Sequence, residues 1–229
     1  MSASALPALV LQHEANAPAD LLGDWLRERG IAHETVPVWE RGVPVDPSGR
    51  PWVCSLGSDQ TPERVGSLPW VDGEVAFLRA ALDAEVPVLG LCFGGQALAA
   101  AAGGGVHPAD PPAAGWAEVE TADPALIPPG PWLHFHYDQL EPPPGSTELA
   151  RSPAGVAAFR LDRSLGLQFH PETGPAIAAG WAESERERLD ELGIDPAAVA
   201  AGGERLGPRA RELAFALFDA WHVEVLGAG

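Results

Sequence analysis

The stretch VLGLCFGGQ, residues 88–96, places a thiol between glycines at the point where an apolar run ends. The apolar run predicts a buried strand, and the Ala-rich segment over residues 94–102 predicts a helix directly after it. Gly90 and Gly94 flank Cys92 in the order strand, Gly-x-Cys-x-Gly, helix, which is the arrangement of a nucleophile elbow. A turn this sharp favours glycine because a Cβ atom would clash there. We therefore predict that Cys92 is a nucleophile, with a buried packing thiol as the alternative.

The helix after Cys92 also suits a reactive sulfur. Its amino-terminal end carries partial positive charge, which favours the thiolate over the thiol. The main-chain N–H of Phe93 would point to the place where a tetrahedral oxyanion forms. We therefore expect Phe93 to supply one oxyanion donor.

Apolar runs and segments of helical spacing alternate on either side of this stretch. The main segments are predicted strands at 8–13, 32–38, 52–57, 86–91 and 164–169, and predicted helices at 18–29, 73–84 and 209–221. This alternation predicts an α/β fold with a mostly parallel central sheet and helices on both faces. Residues 116–159 show shorter runs, which predict antiparallel strands that elaborate the sheet, and the proline clusters at 108–112 and 142–144 predict loops.

The chain shows no internal repeat and no linker, so its 229 residues predict a single domain. We expect a core over residues 8–175 and further helices over 176–225.

Composition excludes several kinds of chemistry. All 14 basic residues are Arg, so there is no lysine for a Schiff base or for a phosphate loop. The 32 acidic residues give a net charge of −18, which makes nucleic acid a poor partner. No apolar stretch approaches the roughly 20 residues of a membrane helix, and residues 1–5 show no secretory signal. We therefore expect a cytoplasmic location and no membrane association. Cys54 lies within a predicted apolar strand, so we expect it to have a structural role.

A nucleophile needs a base, and His170 is the best candidate among the seven histidines. It follows a buried strand and precedes Pro171 and Glu172. The carboxyl ends of parallel strands share one edge of a sheet, so His170 and Cys92 should meet there, and Glu172 can orient the imidazole. The histidines interpreted as ordinary surface or strand-end residues are His13, His33, His107 and His222.

The pair of motifs, G-x-C-x-G-x-Q at 90–96 and F-H-P-E at 169–172, resembles the class I glutamine amidotransferases, the Cys-His-Glu family. The resemblance covers residues 8–175 and is greatest to stand-alone domains of the GMP-synthase-like branch. It implies a flavodoxin-like three-layer fold, no cofactor, and catalytic roles for Cys92, His170 and Glu172.

The resemblance also implies roles for other positions. The family usually has a Gly-Gly-Pro loop that supplies the second oxyanion amide; here the corresponding stretch is SLGSD, residues 55–59, and the role is assigned to Gly57. The positions to which it assigns substrate binding are Gln96 and, in the segment WLHFHYDQL, Phe135, His136 and Tyr137.

The same segment offers a competing interpretation. In a strand, His134, His136 and Asp138 would project to one face, which resembles a metal set of two histidines and a carboxylate. A spacing match alone is weak, and these residues are equally compatible with polar positions at the rim of a site. We predict that no metal is bound.

Three functional hypotheses follow. The leading one is a glutaminase that forms a γ-glutamyl thioester on Cys92 and supplies ammonia to a separate acceptor-activating synthetase, since no synthetase domain is recognised in the sequence. The second is a stand-alone γ-glutamyl peptidase or hydrolase with the same Cys-His-Glu triad. The third is a non-catalytic regulatory or binding domain on this scaffold. The sequence does not choose the acceptor, the partner protein or the oligomeric state.

Overall fold

The computed structural model describes residues 6–60 and 69–226, so residues 1–5, on which the secretory-signal prediction rests, lie outside it. The strands are β1 (Ala8–Gln12), β2 (His33–Pro37), β3 (Val53–Ser55), β4 (Val88–Leu91), β5 (Gly105–Ala117), β6 (Glu120–Thr121), β7 (Trp132–Glu141), β8 (Thr147–Ser152), β9 (Gly155–Leu161) and β10 (Ser164–Leu167). The helices are α1 (Asp20–Glu28), α2 (Val38–Arg41), α3 (Pro69–Asp83), α4 (Phe93–Ala101), α5 (Pro175–Ser184), α6 (Arg186–Glu191) and α7 (Pro196–Leu226).

The main sheet has eight strands in the order β2-β1-β3-β4-β10-β9-β8-β6. The first five are parallel to one another, and β9, β8 and β6 extend the sheet in antiparallel fashion. The order of the parallel part is that of flavodoxin-like folds. The predicted mixed, mostly parallel α/β fold is therefore confirmed, and β5 and β7 add a separate antiparallel pair.

Alternating side chains in β1 show why helices cover both faces. Ala8 and Val10 belong to the core cluster that α1 and α7 complete, whereas Leu9 and Leu11 belong to the cluster formed with α3 and α4. Since strand residues alternate between faces, an apolar run without polar interruptions must be covered on both sides. The sheet is therefore the middle of three layers.

The predicted loop at residues 108–112 is wrong. This segment lies inside β5, where the pairing with β7 shifts register between Pro108 and Ala113. Proline cannot donate a ladder hydrogen bond, so the strand tolerates the cluster only at this irregularity. The second proline cluster, 142–144, does connect two strands, β7 and β8.

None of the helices found in residues 6–60 and 69–226 has the length and apolar character needed to span a bilayer.

Candidate active site

The turn between β4 and α4 is strained at Cys92. Its backbone angles are φ +51° and ψ −106°, in the positive-φ region that non-glycine residues seldom adopt. Two main-chain hydrogen bonds hold the turn: the Cys92 N–H donates to the carbonyl of Leu167 at 2.8 Å, and the Gly94 N–H donates to the carbonyl of Leu56 at 3.1 Å. A strained residue fixed by its neighbours is characteristic of a functional position.

The glycines around Cys92 are required by packing. A Cβ atom on Gly90 would lie 2.4 Å from the carbonyl oxygen of Gly94, and one on Gly94 would lie 2.1 Å from the carbonyl oxygen of Ser55. Neither backbone can move away without breaking the elbow. The sequence pattern therefore reflects close contacts between β3, β4 and the first turn of α4.

His170 and Glu172 form a buried pair beside Cys92. The Nδ1 atom of His170 lies 2.8 Å from Oε1 of Glu172, and both side chains are almost fully buried. The main-chain N–H of His170 donates to the carbonyl of Leu133 at 2.8 Å, which connects the segment after β10 to β7. The Nε2 atom of His170 has no hydrogen-bond partner within the described residues. Glu172 thus orients the His170 ring so that Nδ1 donates to the carboxylate. Nε2 is then the ring nitrogen that can face Sγ of Cys92.

Two effects act on the pKa of His170 in opposite directions, and the combined effect of nearby charge is larger than that of burial. Burial disfavours the imidazolium, but the Cys92 sulfur and the Glu172 carboxylate together raise the pKa of His170 well above its ordinary value. The arrangement therefore favours the protonated imidazole of His170 beside the Cys92 sulfur.

Gln168 is a residue near the sulfur that the sequence interpretation missed. Its Nε2 lies 3.8 Å from Sγ of Cys92, and its Oε1 accepts a hydrogen bond of 2.9 Å from the N–H of Leu140. That second bond fixes the amide so that its NH₂ faces the sulfur. A polar residue after the apolar strand β10 is the only signal in the sequence, and it is too common to single out.

The two residues predicted to supply oxyanion donors are both close to Cys92, since Phe93 follows it in the chain and Gly57 approaches it from the loop after β3. Within the described residues, the N–H groups of Gly57 and Phe93 have no main-chain hydrogen-bond partner. A Cβ atom on Gly57 would lie 2.8 Å from Cε1 of His170 and 3.8 Å from Cβ of Cys92. Glycine is therefore needed where this loop approaches the imidazole.

A cavity of about 240 Å³ opens above Cys92. The predicted substrate-binding residues all line it: Gln96, Phe135, His136 and Tyr137. The side chain of Gln96 donates to the carbonyl of Asp138 at 3.1 Å, so it is fixed against β7.

The carboxy-terminal helices form one wall of the cavity. Trp181 of α5 packs edge-on to the His170 ring with centroids 4.9 Å apart, and its indole N–H donates to the carbonyl of Asn16. The Arg188 guanidinium of α6 stacks on the Tyr137 ring, 3.3 Å from its centroid. The sequence did not predict this contribution of residues after 175.

His134 and His136 are both buried. Within residues 6–60 and 69–226, no three His, Cys, Asp or Glu side chains come together as a metal site. Burial, with the nearby His170 adding to it, lowers the pKa of His134 to about 4. Burial also lowers the pKa of His136 to about 3. These imidazoles are neutral in the folded protein at physiological pH.

We expect the two neutral histidines to make the fold sensitive to acid. The unfolded state takes up these protons below pH 6.5 and the folded state only near 4 and 3, so the free energy of unfolding falls as pH falls through this window. For His134 the gap from 6.5 to about 4 corresponds to about 3 kcal/mol at about 1.4 kcal/mol per pH unit. Urea unfolding between pH 4 and 7 measures the slope, and His134→Phe should reduce it. An unchanged slope would contradict the assignment.

The chain is similar to known proteins in sequence and in fold. A model of the family "glutamine amidotransferase class-I" matches residues 60–178. The glutamine-hydrolysing GMP synthase of Helicobacter pylori strain 26695 is 32% identical over 162 residues, covering 66% of this chain and 30% of that protein. That of Aeropyrum pernix is 43% identical over 94 residues, covering 38% of this chain and 18% of the relative.

This chain thus spans less than a third of the curated relatives that it matches. Among solved structures, a glutamine amidotransferase from Thermotoga maritima superposes with a TM-score of 0.83 at 23% identity, covering 96% of this chain and all of the other. That likeness concerns the fold. The family match extends over more than half of the sequence and includes both motifs, so this chain belongs to the class I glutamine amidotransferase family.

Proposed function

We propose that this protein hydrolyses the side-chain amide of L-glutamine through a thioester on Cys92. The sulfur attacks the amide carbon, and His170 donates a proton to the nitrogen as the C–N bond breaks, so ammonia leaves and a γ-glutamyl thioester remains. His170 then takes a proton from water, which attacks the thioester carbon and releases glutamate and the thiolate. The N–H groups of Phe93 and Gly57 stabilise the oxyanion in both steps.

The observation that carries the proposal is the meeting of a strained Cys92 with the His170–Glu172 pair at one cavity. Nucleophile, base and orienting carboxylate occur in the order that nucleophilic catalysis needs. A packing thiol would require neither the positive φ nor the imidazole beside it.

The size of the cavity supports a small substrate. Pockets for drug-sized ligands occupy about 300–1,000 Å³, and this one occupies about 240 Å³. A single amino acid suits that volume, with the fixed Gln96 amide and the main chain of β7 as polar partners.

The released ammonia, we propose, passes to a separate protein that activates an acceptor. The supporting fact is that the curated relatives are glutamine-hydrolysing GMP synthases. The acceptor used with this chain is not fixed by that likeness.

A γ-glutamyl hydrolase is the second candidate, and one observation favours it. The cavity is also lined by Ser184 of α5, by Arg188 of α6 and by Glu185 between these two helices. These could contact a leaving group larger than ammonia, while the thioester chemistry stays the same.

The two candidates are separated by the leaving group that the enzyme accepts. We expect purified protein to release glutamate and ammonia from L-glutamine, with a lower kcat/KM for γ-glutamyl amides of bulky amines. A panel of these compounds, assayed for glutamate with Cys92→Ala as the blank, makes the comparison. Faster cleavage of the bulky amides would favour the hydrolase. No turnover together with no labelling of Cys92 by a glutamine-like electrophile would favour a binding domain.

A further inference from the structure

His13 directly follows β1, so it is a strand-end residue, but it is buried in an ion pair and is not the ordinary polar position that the sequence suggested. Its Nε2 lies 2.7 Å from Oε2 of Glu74, a residue of α3, and both side chains are fully buried. Its Nδ1 lies 3.1 Å from the carbonyl oxygen of Gly57. With Glu74 as a carboxylate, both partners only accept hydrogen bonds, so both ring nitrogens would donate and the ring would be an imidazolium.

The surroundings of His13 fit a buried cation. The ring stacks on Trp70 at 5.3 Å between centroids and meets the edge of Phe93 at 4.9 Å, so aromatic faces replace water around it. The other carboxylate oxygen of Glu74 accepts a hydrogen bond of 2.6 Å from Oγ of Ser55. Burial opposes the charge, but Glu74, with a smaller contribution from Glu14, raises the pKa of His13.

Hydrogen bonds from His13 and from Gly94 fix the backbone of the loop around Gly57. The carbonyl of Leu56 accepts from the Gly94 N–H, and the carbonyl of Gly57 accepts from His13, so the peptide units on both sides of Gly57 are fixed. The first bond orients the N–H of Gly57 directly, because it belongs to the Leu56–Gly57 peptide. The second prevents rotation of the next peptide, which would carry the loop away from Cys92.

We propose that His13 is a positioning residue for the oxyanion site: held by Glu74, its imidazolium fixes the Gly57 loop and adds a positive charge close to the developing oxyanion. This role rests on the proposed thioester chemistry.

Two substitutions separate positioning from packing. The amide nitrogen of His13→Asn takes the place of Nδ1 and keeps a donor for Gly57, whereas that of His13→Gln reaches toward Glu74 and leaves the carbonyl of Gly57 unpaired. For glutamate release, we expect kcat to fall about 10²-fold in His13→Gln and less than about 10-fold in His13→Asn, with KM within about twofold in both. His33→Gln, the same change at an exposed position of β2, is the matched control and should behave as wild type.

Alkylation by iodoacetamide provides a readout that involves no oxyanion. Its rate at Cys92 should stay within about threefold in both His13 variants, because the direct displacement forms no tetrahedral intermediate. Equal losses of kcat in the two variants, or an alkylation rate that falls in parallel with kcat, would overturn the positioning role. A wild-type protein inactive on every γ-glutamyl substrate would instead overturn the proposed function, and this inference with it.

The charge of His13 can be tested without turnover. In ¹⁵N-histidine-labelled wild-type protein at pH 7.5, both ring nitrogens of His13 should give the chemical shifts of protonated nitrogen. A neutral ring would contradict the proposal, even if the variants failed to fold.

Discussion

Replacing Cys92 with Ala should abolish turnover and leave the fold intact. Removal of a nucleophile that acts together with its base lowers kcat by about 10⁶-fold in well-studied hydrolases, and a comparable loss is expected here. The substitution deletes one sulfur atom from a small buried site, so the free energy of unfolding should change by about 1 kcal/mol or less. Glutamate release and urea unfolding, measured on the same preparation, check both parts.

Cys54→Ala is the matched control for Cys92→Ala. Cys54 is fully buried in β3 and points into the core cluster with α1 and α7. Burial raises the pKa of its thiol well above the ordinary value, so it should resist iodoacetamide at pH 8 while Cys92 reacts. The variant should lose about 1 kcal/mol of stability and keep its turnover. Full activity in Cys92→Ala, or loss of activity in Cys54→Ala alone, would overturn the assignment of the nucleophile.

The positive φ of Cys92 costs free energy in any residue with a Cβ atom, and glycine adopts it without strain. The strain at Cys92 therefore lowers the free energy of unfolding, and the same backbone conformation sets the position of the sulfur.

The sequence predicted those parts of the site that lie next to each other along the chain. The elbow at Cys92 and the pair His170–Glu172 are short motifs at strand ends, and the rule for parallel sheets is enough to bring them together. The parallel part of the sheet followed from apolar runs alternating with helical spacing. At these positions the local sequence pattern and the topology of the parallel sheet lead to the same prediction.

The remaining contacts depend on pairs far apart in the sequence. His13 lies 61 residues from Glu74 and 44 from Gly57, so no local pattern connects them. Each looks ordinary alone: a histidine after a strand, a glutamate in a helix. The wall formed by Trp181 was missed for the same reason, since the packing of α5 over the carboxyl edge of the sheet depends on how the chain turns after Glu172.

Glu172→Gln is expected to lower kcat by about 10³- to 10⁴-fold. Replacing the carboxylate of a catalytic triad by an amide keeps the shape but removes the charge and permits the wrong tautomer of the histidine. Here the Oε1 of Glu172 lies 2.8 Å from Nδ1 of His170, and its charge is one of the causes that raise the pKa of His170. The loss should appear in kcat more than in KM, because Glu172 is not among the residues that line the cavity.

The pH profile of this variant distinguishes an electrostatic role from a packing role. Protonated His170 is needed to donate to the leaving nitrogen, so kcat falls as pH rises through its pKa, and Glu172→Gln should move this alkaline limb to lower pH. Stability follows the same sign: His170 stabilises the fold below its unfolded pKa of about 6.5, and this contribution disappears as pH rises through the raised folded value. Glu148→Gln, an identical change at an exposed position of β8, should leave kcat and the limb unchanged. An alkaline limb that stays in place in Glu172→Gln would show that Glu172 only fills space beside the ring.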